Sequence, residues 1–427
     1  MPTAPTFGAG ARAAKPCRRA LAALCLTGLL GGCATSGPAP QATVANPAPP
    51  TLAKAAVPAR LSDTVAALAA ALVGQAKLPP GRYPVTIDPW IDARTGDQVE
   101  TTRVMEAEIK TLIPQHFPQL EPLPFTLETL ERKPFVLVGA IAPVTGPGSF
   151  DPAIGRPGAY RIYGVIADLK SGKIAAAQSV WAAPDEVDVT PVAFFRDSPA
   201  RVPDQSVAAY LSTSASQPGD PIDPRYLTNL RAEALITSAT TAYDDGQYGP
   251  ARALHRQAAA LPEGGHQERV YNGLYLTNRR LGDEDQAAEA FARFVAYGLE
   301  HDHLAVKFLF SPGSTAFWPD PAISGPYPMW LRAIADQTAE AGACLRLTGH
   351  SSPSGSAALN DRLSLARAQH IARDLVRLDP ELRGHLERQG AGARDPIVGT
   401  GADNATDALD RRVDFQPVPC QQVRAAI

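Results

Sequence analysis

Charge is scarce in this chain of 427 residues. Charged residues make up 19% and the net charge is -3, so there is no basic surplus to hold a nucleic-acid backbone. Long apolar runs are missing too. The one candidate, Leu21 to Leu30, is too short to span a bilayer as a mature helix. The eight histidines are scattered and the five cysteines are few, so no metal-ligand spacing appears and no cofactor is expected. Apolar residues nevertheless reach 45%, an ordinary globular mixture, and the length suits two or three domains. Proline (41) and glycine (34) are abundant, and much of the proline falls in one N-terminal stretch.

That N-terminus reads as an export signal. Arg12, Lys15, Arg18 and Arg19 form a positive head before the short apolar core. The core ends in Leu30-Gly31-Gly32-Cys33, which resembles the bacterial lipobox; a plain signal peptide with an incidental cysteine is the alternative. The resemblance implies a signal peptide over 1-32 and lipidation at Cys33. Two or more acyl chains suffice for stable anchoring. Ala34 stands where an aspartate would retain such a protein at the inner membrane, so the expected location is the outer membrane, lipid-anchored and facing the periplasm. Residues 33-60 are an Ala/Pro-rich linker, extended and stiff. Once Cys17 and Cys25 leave with the signal and Cys33 takes lipid, Cys344 and Cys420 remain. An even pair in an oxidising compartment, beside apparent strands of one domain, predicts a disulfide between them.

Residues 61-200 alternate helical and strand patterns, an α/β periplasmic domain. Ser62 is placed to cap a helix in which Val65, Leu68 and Leu72 share a face. "YPVTIDPWIDA" is a strand candidate. "TTRVMEAEIKTLI" is an amphipathic helix with Met105, Ile109 and Leu112 on one side. "PFVLVGAIA" is a buried strand, and Lys170-Ser171-Gly172 joins two further strands in a hairpin. This order resembles the periplasmic lipoprotein domains of the CsgG and LpoB type. Asp88, Asp92 and Asp168 lack a histidine or third acid spaced to join them, so turn and strand-end roles are expected.

Residues 225-303 are helical and repeat at a period of about 36. Gly246 aligns with Gly282, Ala251 with Ala287, and His255 with Phe291. The pattern is similar to the tetratricopeptide repeat. Glycine would end the first helix of each pair, and the small alanine would let the second pack closely. Two units are few for a solenoid, so they should lean on their neighbours. They serve either as a peptide-binding groove or as a helical spacer.

The pattern changes again over 304-421. "AVKFLFSPGSTAF" reads as strand then turn, and "PMWLRAIADQTAEAG" as helix with Leu331, Ile334 and Ala335 on one side. "ACLRLTGH" is a strand, "LNDRLSLARAQHIARDLVRL" a long helix, and "DRRVDFQPVPC" a last strand. In the long helix Ser364, Ala368, Ile371, Ala372 and Leu375 form a stripe for the sheet, with Arg362, Ala366, Gln369 and Arg373 opposite. Asn360 and Arg367 fall at the stripe's edge, two turns apart, where an arginine fork can meet a carboxylate.

These residues resemble the OmpA-like, peptidoglycan-binding domain. The family runs Gly-His-Thr-Asp, Asn-x-x-Leu-Ser-x-x-Arg-Ala, Gly-x-Gly and Asn-Arg-Arg-Val. Here stand Gly349-His350-Ser351-Ser352, Asn360 to Ala368 ("NDRLSLARA"), Gly390-Ala391-Gly392 and Asp410-Arg411-Arg412-Val413. The resemblance covers roughly the last 120 residues. It implies an α/β sandwich of βαβαβ type at the C-terminal end of an α/β and α multidomain chain. It also implies binding of the diaminopimelate of peptidoglycan stem peptides, with Arg367 on the carboxylate, Asn360 and Arg411 nearby, and the position of Ser352 toward the ammonium. The family has an acid at that position, and a second acid where Ser311 stands. A hydrogen bond to a charged group is worth about 1.5–3 kcal/mol, so a neutral hydroxyl lowers affinity for the free ammonium about tenfold or more. Asp361 points away from Arg367 on the helix and is no replacement.

A hydrolase reading of Gly349-His350-Ser351 fails on its turn. A nucleophile elbow needs glycine two residues after the serine, and Pro353 is there. The sequence thus implies a non-enzymatic outer-membrane lipoprotein that tethers or positions envelope components on peptidoglycan, alongside unknown periplasmic protein partners. The alternative is an interaction scaffold, or a regulator of a cell-wall synthase, whose OmpA-like domain has lost the wall.

Overall fold

The computed structural model describes residues 60–144, 150–151, 156–202, 204–311, 313–396 and 410–425. The signal peptide, Cys33 and the linker up to residue 59 lie outside the described residues.

The first layers are built in chain order from α1 (Leu61–Ala76), β1 (Tyr83–Ile87), β2 (Ile91–Asp92), α2 (Glu100–His116), β3 (Leu120–Pro122), α3 (Leu127–Glu131) and β4 (Phe135–Pro143). A two-residue pair, β5 (Phe150–Asp151) with β6 (Arg156–Pro157), precedes the hairpin of β7 (Tyr160–Asp168) and β8 (Lys173–Ala182). Next come α4 (Ala193–Asp197), β9 (Ala200–Arg201), α5 (Gln205–Ser214) and α6 (Pro224–Asp244). The sheet runs β3-β1-β4-β7-β8, with β2 beside β4. β1 is parallel to β3 and β4, whereas β4, β7 and β8 are antiparallel. β4 is apolar throughout because both its faces are covered. Leu137 and Ile141 meet the side of α1 and α2, where Val65, Leu68, Leu72, Met105 and Ile109 are buried. Val136, Val138 and Ala140 meet α5 and the first half of α6. Trp90 is fully buried across this sheet, and Gly139 and Gly164 make its room. A Cβ built on Gly139 would lie 2.6 Å from the indole, and one on Gly164 3.0 Å.

The cap of α1 differs from the expected one. The helix begins at Leu61, so Ser62 lies inside its first turn, and Leu61 N donates instead to Glu186 Oε2 at 3.3 Å. The three aspartates have separate roles. Asp88 follows β1, is buried, and accepts from the Tyr226 hydroxyl at 2.7 Å. Asp92 pairs with Arg94 at 2.8 Å, and Asp168 accepts from Lys170 N in the hairpin turn.

The helical stretch continues through α7 (Tyr248–Ala259), α8 (Glu268–Arg280) and α9 (Glu284–Glu300). Gly246 and Gly282 both adopt a left-handed φ, +74° and +75°, just past α6 and α8. Each ends its helix with a hydrogen bond spanning five residues, from Gln247 N to Ala242 O and from Asp283 N to Asn278 O. Ala251, Ala287, His255 and Phe291 are all fully buried.

The last module comprises β10 (Leu304–Val306), α10 (Pro321–Ser324), α11 (Tyr327–Glu340), β11 (Cys344–His350), α12 (Ala357–Leu378), β12 (Leu386–Gly392), β13 (Val413–Val418) and α13 (Cys420–Ala425). Its sheet runs β12-β11-β13-β10-β9. β11 and β12 are parallel, and the other neighbours are antiparallel. Cys344 and Cys420 are joined by a disulfide, with their Cα atoms 5.1 Å apart. Two features depart from a simple string of domains. β9, from before the helices, pairs with β10 as an edge strand of this sheet. The helices also share a core with it, because Phe291 and Phe294 of α9 pack with Tyr327 and Trp330 of α11 and with Phe308. Trp330 Nε1 donates to the Tyr275 hydroxyl of α8 at 2.8 Å. The helical stretch is therefore not an independent spacer. Its apolar face is completed by the module that follows it.

Candidate functional site

The motif around α12 is mainly a device for seating a helix. A Cβ on Gly349 would stand 2.1 Å from Ser364 O, and one on Gly390 2.6 Å from both Leu365 N and Ser364 Oγ. Only hydrogen fits at these places, so the helix lies directly on β11 and β12. Gly392 turns at φ +59° and donates from its N to Ser364 Oγ at 2.9 Å, while that hydroxyl donates to Asp361 O. Ser356 caps the helix, accepting from Leu359 N. Asn360 Nδ2 donates to Ser354 O at 3.0 Å and closes the preceding loop. With the helix fixed in depth and rotation, Arg367 emerges where the β11–α12 loop meets the β10–α11 loop.

Arg367 is 3% exposed. It donates from Nε to Ser314 O at 3.3 Å and from Nη2 to Ser311 O at 3.5 Å, and its guanidinium lies 4.9 Å from the centre of the Phe310 ring. The Ser352 hydroxyl is 3.2 Å from that of Ser354. His350 does not face Ser351. Its Nε2 lies 3.1 Å from Asp414 Oδ2 on β13, and Arg412 Nε donates to Asp414 Oδ1 at 2.9 Å. Burial alone would raise the Asp414 pKa, but the His350 hydrogen bond and the Arg412 charge outweigh it and hold the carboxyl below its usual value. Ser351 Oγ is buried and has no hydrogen-bond partner among the described residues.

Ser352, Asn360, Arg367 and Arg411 all line one cleft of about 1160 Å³. Its other walls were not visible in the motif. Tyr275, Arg279 and Arg280 come from α8, Arg196 and Asp197 from α4, and Trp318 and Ile323 from the β10–α11 connection. Arg280 is held by Asp197 and donates to the Tyr243 hydroxyl at 3.0 Å. Lys307 Nζ donates to Arg196 O at 3.0 Å, and burial pushes its pKa down to about 8. In sequence, Arg279 and Arg280 read only as cations favouring a helix C-terminus. Nothing in their spacing signals a cleft shared with a motif that begins at Gly349, 70 residues after Arg279. Among the described residues no group of three or more His, Cys, Asp or Glu is placed to hold a metal. No helix among them is long and apolar enough to cross a membrane.

Comparison with known proteins gives a partial likeness. Solved OmpA-like and peptidoglycan-associated structures match about a quarter of the chain. The peptidoglycan-associated lipoprotein of Burkholderia pseudomallei is 23% identical over 27% of this chain and 89% of its own, with a TM-score of 0.22. The cell wall anchor of the T6SS of Pseudomonas aeruginosa is 24% identical over 27% of this chain and 79% of its own (TM-score 0.23). The OmpA-like domain of FopA1 from Francisella tularensis is 15% identical over 27% and 77% (TM-score 0.21). No protein-family model and no curated protein matches the chain.

Proposed function

We propose that this protein binds peptidoglycan non-covalently through its C-terminal module and so tethers or positions envelope components on the wall. The observation that carries this reading is the gathering of Ser352, Asn360, Arg367 and Arg411 in the lining of one cleft. In this reading Arg367 takes the carboxylate of a diaminopimelate stem peptide with its planar fork. Phe310 and the carbonyls of Ser311 and Ser314 hold that fork in one orientation, which lowers the entropy lost on binding. Asn360 fixes the loop that carries Ser352 and Ser354. Arg411 adds positive charge from the start of β13. The lipobox-like Leu30 to Cys33 would anchor the chain to the outer membrane, with the linker spanning the gap and the folded part facing the periplasm. The tetratricopeptide-like helices and the N-terminal α/β layers would serve protein partners.

The test is sedimentation of the purified protein with isolated sacculi. Wild type is retained, Arg367→Ala is lost, and Ser352→Asp is retained more strongly when free diaminopimelate ends are abundant. A wild type that stays in the supernatant refutes wall binding. A second reading rests on a specific observation: both family acids are serines, Ser311 and Ser352. It makes the module an interaction scaffold, or a regulator of a cell-wall synthase, and it holds if the wild type does not sediment while Ser352→Asp does.

A further inference from the structure

The β10–α11 connection folds back on itself. Phe310 bridges to Phe317, and Trp318 N donates to Leu309 O at 2.9 Å. Side chains alternate along such a pair, so Phe317 and Trp318 turn opposite ways. Phe317 packs edge-on against Tyr327 in the core, 4.9 Å between ring centres. Trp318 lines the cleft. Its indole is half-buried, and among the described residues no aromatic ring stacks on it and no group hydrogen-bonds to it. Ile323 and Leu359 line the same cleft and are 37% and 46% exposed. A flat apolar surface therefore lies open beside the motif residues.

A second observation stands just past β11. Ser351 also lines the cleft and is 3% exposed, and its Oγ has no hydrogen-bond partner among the described residues. A buried hydroxyl in that state carries a desolvation cost that a ligand N–H or O–H relieves. An apolar side chain of a protein partner would cover Trp318 and offer Ser351 nothing. An N-acetylated amino sugar serves both. Its ring has a flat C–H face, and its substituents carry an N–H and hydroxyls.

Reach agrees with this. Ser314 O accepts from Arg367 Nε, and Trp318 follows four residues later, so the chain allows at most about 14 Å between them. A stem peptide has two residues between its diaminopimelate and the sugar, an extended span of roughly 7–10 Å. A ligand whose carboxylate sits at Arg367 can lay its sugar on Trp318.

We propose that the cleft contains a glycan subsite, in which Trp318 stacks on an N-acetylated amino sugar of the wall and Ser351 hydrogen-bonds the same ligand. The proposal rests on the peptidoglycan reading above and adds the sugar to its ligand.

Calorimetry on the full chain compares a disaccharide stem-peptide monomer with the identical stem peptide cut from its sugar. The sugar-bearing form binds about tenfold tighter, the gain from covering roughly 55 Å² of apolar ring area. Trp318→Ala brings the two ligands to equal affinity, and Trp318→Phe keeps part of the difference. Ser351→Ala lowers affinity for the sugar-bearing form several-fold, with a melting temperature at or above that of wild type, because no intramolecular bond is lost. Equal binding of the two ligands by wild type overturns the proposal, and this result does not depend on how any variant folds. If that equal binding is lost in Arg367→Ala, wall binding stands and only the sugar contact falls. A Trp318→Ala protein that keeps the tenfold preference overturns the proposal as well, since the sugar then rests elsewhere. If neither ligand binds and sacculi do not sediment the protein, both readings fall and the apolar surface belongs to a protein partner.

Discussion

His255 makes the helical stretch sensitive to acid. Its ring is fully buried in α7, stacked on Phe194 at 5.6 Å, and would lie 2.1 Å from a Cβ on Gly273. Neither ring nitrogen has a hydrogen-bond partner among the described residues. Burial, with the Arg269 charge adding to it, lowers its pKa to about 3. The unfolded chain protonates this histidine near 6.5, while the folded chain keeps it neutral until pH approaches 3. The unfolded state therefore binds more protons across that window, and stability is lost as pH falls through it. At pH 5 the loss relative to pH 8 is about 2 kcal/mol from this residue alone. His255→Phe puts there the residue that Phe291 supplies in the second helical pair, and it leaves no group to titrate at that position. Urea unfolding of wild type and variant at pH 8 and pH 5 measures it. The difference between the two proteins should change by about 2 kcal/mol between the two pH values, whatever the baseline cost of the larger ring. Parallel pH curves for the two proteins would show that His255 does not carry the effect.

Other expectations follow from packing and covalent structure. Reducing the Cys344–Cys420 bond, or replacing both residues by serine, frees a loop with ends 76 residues apart and costs up to about 4.5 kcal/mol, read as a shift in urea midpoint with and without reductant. No shift would mean that the β11–β13 pairing already holds those ends. Gly139→Ala drives a methyl into the Trp90 ring and should lower stability by about 1–3 kcal/mol, with a change in tryptophan fluorescence; an unchanged melting curve would contradict the packing described for β4. Gly349→Ala meets the backbone of α12 rather than a side chain, so it should displace the helix and abolish wall binding together with stability. Retention of binding there would refute the seating role of the motif.

Legibility in the sequence followed how local the signal was. The 3.6-residue stripe of α12 and the alternation of the 160–182 hairpin are local, and both gave elements close to those observed. The β4 run was readable as buried because both faces are apolar. The pairing of Cys344 with Cys420 followed from export and elimination rather than from geometry. By contrast, Ala200–Arg201 has no strand pattern of its own and becomes a strand only because β10 offers an open edge. α5 and β12 carry no legible pattern either, since their short, small or polar runs are fixed by the sheets they cover or extend. The site divided in the same way. Ser352, Asn360, Arg367 and Arg411 came from one motif-bearing module and line one cleft, while Arg279, Arg280 and Tyr275 reach it only through a core shared between α8, α9 and α11.

The central claim is that the Arg367 guanidinium meets a carboxylate of the wall. Nitrogen-15 labelling of arginine in the full chain, followed by titration with a soluble muropeptide, observes this directly. The Arg367 Nε–H resonance should shift and saturate with ligand, while that of Arg346, paired with Glu387 at 2.9 Å, stays in place. Binding that saturates while the Arg367 resonance does not move would contradict it.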